Sequence, residues 1–247
     1  MATVAGSPID RRSAERRFYS RMAWLLVAVV FLGFAQSFYL RGLFTVSPRP
    51  NPTLPASVML HGILFTLWML VFVAQTQLVS AGRTDLHMKL GKASMFLALA
   101  IIPMMYLVGV WQVERANQPP FTDPLNWTIV PLAVIPAYAV MVWTGWRRRK
   151  KAQWHKRAML SAAILVVMGP AIGRLPVAPP TLGGFAFQIL LGMALFVPLV
   201  IWDRRTQGHV HAATWLGLAM GAVSGFLPIA ILATGAWGPI ARHLPGV

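Results

Sequence analysis

Cysteine is absent from the 247 residues, and with it go disulfides, thiolate metal sites, iron–sulfur clusters and a cysteine nucleophile. Acid is nearly absent: 6 Asp and Glu stand against 22 Lys and Arg. Charged residues make up 11% of the chain, where a water-soluble domain carries about 25%. Long polar stretches are missing as well. The longest is residues 1–22, too short to fold around a core of its own, so any chemistry lies within or at a membrane.

What is present is apolar. Hydrophobic residues reach 57% and the mean hydropathy is +0.61. A bilayer core asks for roughly 17 to 25 apolar residues per helix, and seven runs qualify: residues 23–44, 56–80, 91–113, 127–146, 158–174, 182–202 and 213–236. The fifth is short and holds Pro170. The expectation is an all-α integral membrane protein: a basic N-terminal segment (1–22), a seven-helix domain (23–236) and a tail (237–247). Proline-rich loops at 46–55 and 114–126 separate spans.

Charge orients the bundle. With the N-terminus in the cytoplasm, the inner segments carry Arg11, Arg12, Arg16, Arg17 and Arg21, then Arg83, Lys89 and Lys92, then seven cations from Arg147 to Arg157, then Arg204 and Arg205. The outer side keeps only Arg41, Arg49, Arg115, Arg174 and Arg242. The positive-inside rule is met throughout and places the C-terminus in the periplasm of a bacterial inner membrane. The net +16 is therefore a topology signal with attraction to anionic lipid headgroups. No basic and aromatic interleaving on a soluble module accompanies it, so nucleic acid is not an expected partner. The Arg-rich leader with Gly33 and Ala35 resembles a cleavable signal, but the apolar run continues through Phe38, Tyr39 and Leu40 and is expected to stay as an anchor.

Further absences narrow the function. No expected span has an interior Asp or Glu; Asp85, Glu114, Asp123 and Asp203 fall in loops or at span edges, which removes the usual parts of proton-coupled transport and intramembrane aspartyl proteolysis. All lysines lie in cytoplasmic segments, which excludes a retinal Schiff base. His-Glu-x-x-His, Gly-x-Ser-x-Gly and dense histidine boxes are missing.

Histidines remain. Each of three cytoplasmic turns places a cation four residues before a histidine: Arg83 and His87, Lys151 and His155, Arg205 and His209. This suggests a helical hairpin used three times. A histidine at a helix N-terminus is kept neutral by the dipole, the form that ligates a metal. His87 with His155, or with His209, is thus a candidate axial pair for a haem iron, with basic side chains for its propionates. The alternatives are another metal or ligand on His87 and His155, or rings resting among headgroups. His209 and His211, two apart, point to different faces.

His61 stands alone in the outer half of the second span. An ionisable residue there needs protein, water or a ligand. Gln36, Ser37 and Tyr39 of the first span, Arg41 near the surface and Thr66 complete either a polar ligand pocket or a hydrogen-bonded bridge from His61 to Gln36 or Tyr39. Arg174 reads as an interfacial anchor, with pairing to Glu114 or to an anionic ligand as its other uses. Gly217, Gly221 and Gly225 clear one face of the seventh span for helix packing, or for a planar ring such as haem or quinone.

The stretch Gly-Arg-Thr-Asp-Leu-His-Met-Lys-Leu-Gly at residues 82–91 resembles a Gly-Arg-x-x-Leu-His-x-x-Leu-Gly turn of small, uncharacterised bacterial inner-membrane proteins. More loosely it is similar to the His and Leu-Gly turns of bacterial cytochrome b561 and ferric-reductase-like proteins. The resemblance covers one hairpin and implies a b-type haem on His87. The chain departs from the two-haem pattern in lacking paired histidines at opposite ends of the same helices.

Three readings follow. The first is a membrane redox protein with one b-type haem near the cytoplasmic face, exchanging electrons with quinone. The second is a non-enzymatic binding or transport protein with an outer pocket around His61, Gln36, Tyr39 and Arg41. The third is an accessory subunit packed against other membrane proteins.

Overall fold

The computed structural model describes residues 8–44 and 51–247. Among them the chain is helical and contains no strand. Helix α1 (Pro8–Phe34) passes into a π-helical turn (Ala35–Tyr39) and a 3-10 turn (Arg41–Leu43). Next come α2 (Ala56–Ser80), α3 (Thr84–Arg115), the short α4 (Pro124–Trp127), α5 (Ile129–Arg147) and α6 (Ala152–Met168). A 3-10 turn (Ile172–Arg174) precedes α7 (Leu182–Met193), which continues through Ala194–Phe196 into α8 (Val197–Gln207). Helix α9 (Ala212–Thr234) and the short α10 (Gly238–Ala241) complete the order. Seven helical stretches among the described residues are long and apolar enough to cross a membrane.

Two boundaries bear on function. Helix α1 starts at Pro8, inside the basic N-terminal segment, and buries Tyr19 and Met22. Helix α3 starts at Thr84 rather than near residue 91, so His87 rides on its first turn. Gly208 closes α8 with φ of 77°, a left-handed conformation glycine adopts at no steric cost.

Helix α6 is the centre of the bundle, packing against α1, α5, α7 and α9. Its span is 72% buried, against at most 33% in the others. Composition explains the position, since Ala158, Ser161, Ala162 and Ala163 let neighbouring backbones approach. The Gly217, Gly221 and Gly225 face of α9 is filled by protein: a Cβ on Gly217 stands 2.7 Å from the Ser161 Cβ, Gly221 meets Met193 and Phe196, and Gly225 meets Ile189. Helix packing therefore occupies the face that the sequence also offered to a planar ring. Gly217→Val is expected to destabilise by about 1–3 kcal/mol through overpacking, measured as a lower apparent melting temperature in detergent.

The end of the bundle that gathers the cations carries a buried ion pair that the sequence does not announce. Asp203, expected in a loop or at a span edge, is near the end of its span but 0% exposed on α8, and Arg157 of α6 is equally buried. Arg157 donates from Nε and Nη2 to Asp203 Oδ1 at 2.8 and 2.5 Å. Asp203 Oδ2 accepts from Thr214 Oγ1 at 2.6 Å and from the His211 backbone N–H at 3.0 Å. One carboxylate thus ties α6, α8 and α9 together. Beside it Lys156 pairs with Glu15, which fastens α1 to the same end.

Candidate functional site

The opposite, loop-rich end opens into a cavity of about 960 Å³, at the top of the range of roughly 300–1,000 Å³ that small-molecule sites occupy. Its walls come from the end of α1, from α2, α3, α5, α6, α7 and α9, and from loops near residues 51–54, 117–121 and 175–181. The π-helical turn fixes the first wall. One extra residue in that turn, closed by Leu40 N–H donating to Ala35 O at 2.7 Å, presents Gln36, Ser37, Tyr39 and Arg41 along the same cavity. Turns of this kind recur at functional sites.

His61, Gln36, Tyr39 and Arg41 therefore share one space, but the expected bridge to His61 is not formed. The Tyr39 hydroxyl instead meets Thr66 Oγ1 at 2.8 Å. Thr66 Oγ1 is also within 2.7 Å of Gly62 O, so its proton goes to that carbonyl and Tyr39 donates. His61 lies against Phe65 with ring centroids 4.5 Å apart, and its buried Nδ1 has no hydrogen-bond partner among the described residues. Three more lining atoms share that condition: Gln112 Oε1, Arg115 Nε and Gln118 Oε1. Native interiors satisfy the great majority of such atoms, and these four are placed to hydrogen-bond water or a polar group within the cavity. Arg174 also lines it, with its guanidinium 4.2 Å from the Phe34 ring centroid and Nη1 donating to Pro170 O at 2.5 Å. Arg115 reaches across to donate to Thr53 O at 2.7 Å. Sequence reasoning missed Arg115 and Gln112 because, four and seven residues before the Pro119–Pro120 loop, they look like loop flanks.

The other candidates lie at the basic end. His87 of α3 and His155 of α6 come together, ring centroids 6.1 Å apart and planes at 80°. His155 Nδ1 faces Gly145 O at 2.9 Å. With Gln75 Oε1 accepting from Gly91 N at 2.8 Å, Gln75 Nε2 donates to His87 Nδ1 at 2.6 Å. His155 thus donates from Nδ1, as metal-ligating imidazoles do, whereas His87 Nδ1 accepts, which puts that ring's proton on Nε2 and leaves it the wrong tautomer for ligation through Nε2. Metal–nitrogen bonds of about 2 Å are compatible with that ring separation. The fit to haem is incomplete in another respect: neither histidine lines the large cavity or the smaller one beside Tyr39 and Met69. Among the described residues no group of three or more His, Asp or Glu is arranged to hold a metal ion. His209 is exposed, with Nδ1 3.0 Å from Gln207 O, and takes no part in the His87–His155 ring contact.

His211 has a structural task. Its Nδ1 accepts from Ala213 N–H at 3.0 Å and caps α9. Burial, then the charge of Arg157, holds its pKa below the usual histidine range, with Lys156 and His209 acting the same way and Asp203 opposing. A group with a depressed folded pKa stabilises above its unfolded value, near 6.5, and that stability is lost as pH falls through the folded value. The apparent melting temperature is therefore expected to drop between pH 7.5 and pH 5, and His211→Asn, which keeps a capping oxygen, is expected to flatten the drop. An unchanged pH profile in that variant contradicts the assignment.

No protein-family model, curated protein or solved structure matches this chain. Fold and site define its class: an all-α, multi-pass membrane protein with a large cavity at one end of the bundle and a histidine pair at the other.

Proposed function

We propose that this protein is a membrane-embedded binding protein that takes a small amphipathic ligand into its loop-end cavity, with His61 as the recognition side chain. The observation that carries this reading is the set of buried polar atoms without a partner among the described residues, His61 Nδ1 foremost, on the wall of a cavity of about 960 Å³ that is otherwise largely apolar. The surplus of cations at the other end supports a reading in which that end faces the cytoplasm and the cavity faces the periplasmic side of a bacterial inner membrane. Binding followed by release across the loops is the simplest use of such a space.

The test is solvent extraction of detergent-purified protein followed by mass spectrometry. Wild type is expected to release a small molecule in near-stoichiometric amount, and His61→Ala to retain several-fold less. Equal recovery from both removes His61 from recognition.

A second reading rests on the separation of the His87 and His155 rings: a b-type haem at the cytoplasmic end, held by both imidazoles and exchanging electrons with quinone. Haem supplies reversible one-electron chemistry when bound. Protein expressed with haem supplied is then expected to show a Soret band that shifts on dithionite reduction and disappears in His87→Ala. A featureless spectrum rejects this reading and leaves the cavity untouched.

A further inference from the structure

The charge on the cavity wall is of one sign. Arg41, Arg115 and Arg174 line it, and among the described residues none of its lining residues is Asp or Glu. The two acidic residues nearest in sequence are engaged or turned away. Asp123 caps α4 and accepts from the Asn126 backbone and side chain, and Glu114 is exposed. A cleft with low-dielectric walls and cations alone concentrates negative charge. Arg174 lies within electrostatic range of His61, and its guanidinium is held between the Phe34 ring and the Pro170 carbonyl. This is a fixed fork of the kind that recognises carboxylate and phosphate.

Away from those groups the wall changes character. Met69, Met105, Val134, Leu165, Val167 and Ile189 come from five different helices and line the remaining volume. That surface has nothing to offer a compact hydrophilic solute, whereas each methylene placed there gains about 0.8 kcal/mol by leaving water.

We propose that the ligand is an anionic amphiphile, with a carboxylate or phosphate head held by Arg174 and His61 and a hydrocarbon chain lying along the apolar wall. Arg115 and Arg41 attract the head from the loop side. The proposal rests on the binding reading above and narrows it to one chemical class.

The experiment is competition against a fluorescent polyene fatty acid bound to purified protein in a neutral detergent. The competitors are oleate, oleyl phosphate, oleyl alcohol and a short-chain ubiquinone. A charge-assisted head contact is expected to make oleate or oleyl phosphate roughly ten-fold or more stronger than the alcohol. Arg174→Gln should erase that preference and Arg174→Lys should retain much of it, which separates lost charge from lost fold. The stronger of the two anions identifies the head as carboxylate or phosphate. Equal competition by alcohol and anions, or stronger competition by the quinone, overturns the anionic head; if Val134→Trp abolishes that competition, the cavity reading survives. Absence of competition by every compound, with Val134→Trp behaving as wild type, overturns both.

Discussion

Replacing Asp203 by alanine is expected to cost about 3–5 kcal/mol, because it leaves a buried guanidinium without its counter-ion. Arg157 is 0% exposed and spends two of its nitrogens on Asp203 Oδ1. Gln153 supplies its remaining partners, the backbone oxygen at 3.1 Å and the side-chain oxygen at 2.5 Å. Loss of the carboxylate also strands the Thr214 hydroxyl and the His211 N–H. The variant should accumulate poorly and melt well below wild type in detergent. Removing both charges tells pairing from packing: Arg157→Met with Asp203→Leu is expected to recover much of the loss, since an apolar pair of similar volume pays no desolvation. A melting temperature for Asp203→Ala equal to that of wild type contradicts the assignment.

Filling the cavity is expected to have the largest effect on binding. Val134 of α5 is partly buried and lines the space, and a tryptophan there occupies volume that the ligand chain would take. Val134→Trp should weaken amphiphile binding by roughly 100-fold, the equivalent of excluding several methylenes at about 0.8 kcal/mol each. Its melting temperature should hold or rise, because the new ring enters open space rather than a packed core. A folded variant that binds as wild type places the ligand elsewhere.

These two variants mark how far the sequence reaches. The seven apolar runs are visible in it because length and hydropathy are additive along the chain. The partnership of Asp203 with Arg157 is not, since the two lie 46 residues apart and each is embedded in a local run of cations that looks solvated: Asp203 precedes Arg204 and Arg205, and Arg157 follows Lys156. The approach of His87 to His155 has a local clue in the cation four residues before each, yet the same clue at His209 leads to an exposed ring. Around His61 the sequence supplies the right polar residues but leaves pocket and bridge equally open. The choice depends on the π-helical turn at Ala35–Tyr39, a change of register that no periodicity announces, and on Thr66 taking the Tyr39 hydroxyl.

The central place of α6 has a consequence for biogenesis. Its span is the least hydropathic of the seven, at 1.4 against 2.3 for the α7–α8 span, and it is the most buried. A segment rich in alanine and carrying Arg157 near its start partitions weakly into lipid alone, so its entry into the bilayer depends on surfaces that neighbouring helices provide. Helices α1, α2, α3 and α5 leave the ribosome before it, and α5 is joined to it by a short turn that offers the first such surface. Asp203 emerges later, with α8. In chain order, therefore, the guanidinium of Arg157 is made before the carboxylate it pairs with, and the bond between α6 and α8 is one the bundle can form only once α8 is present.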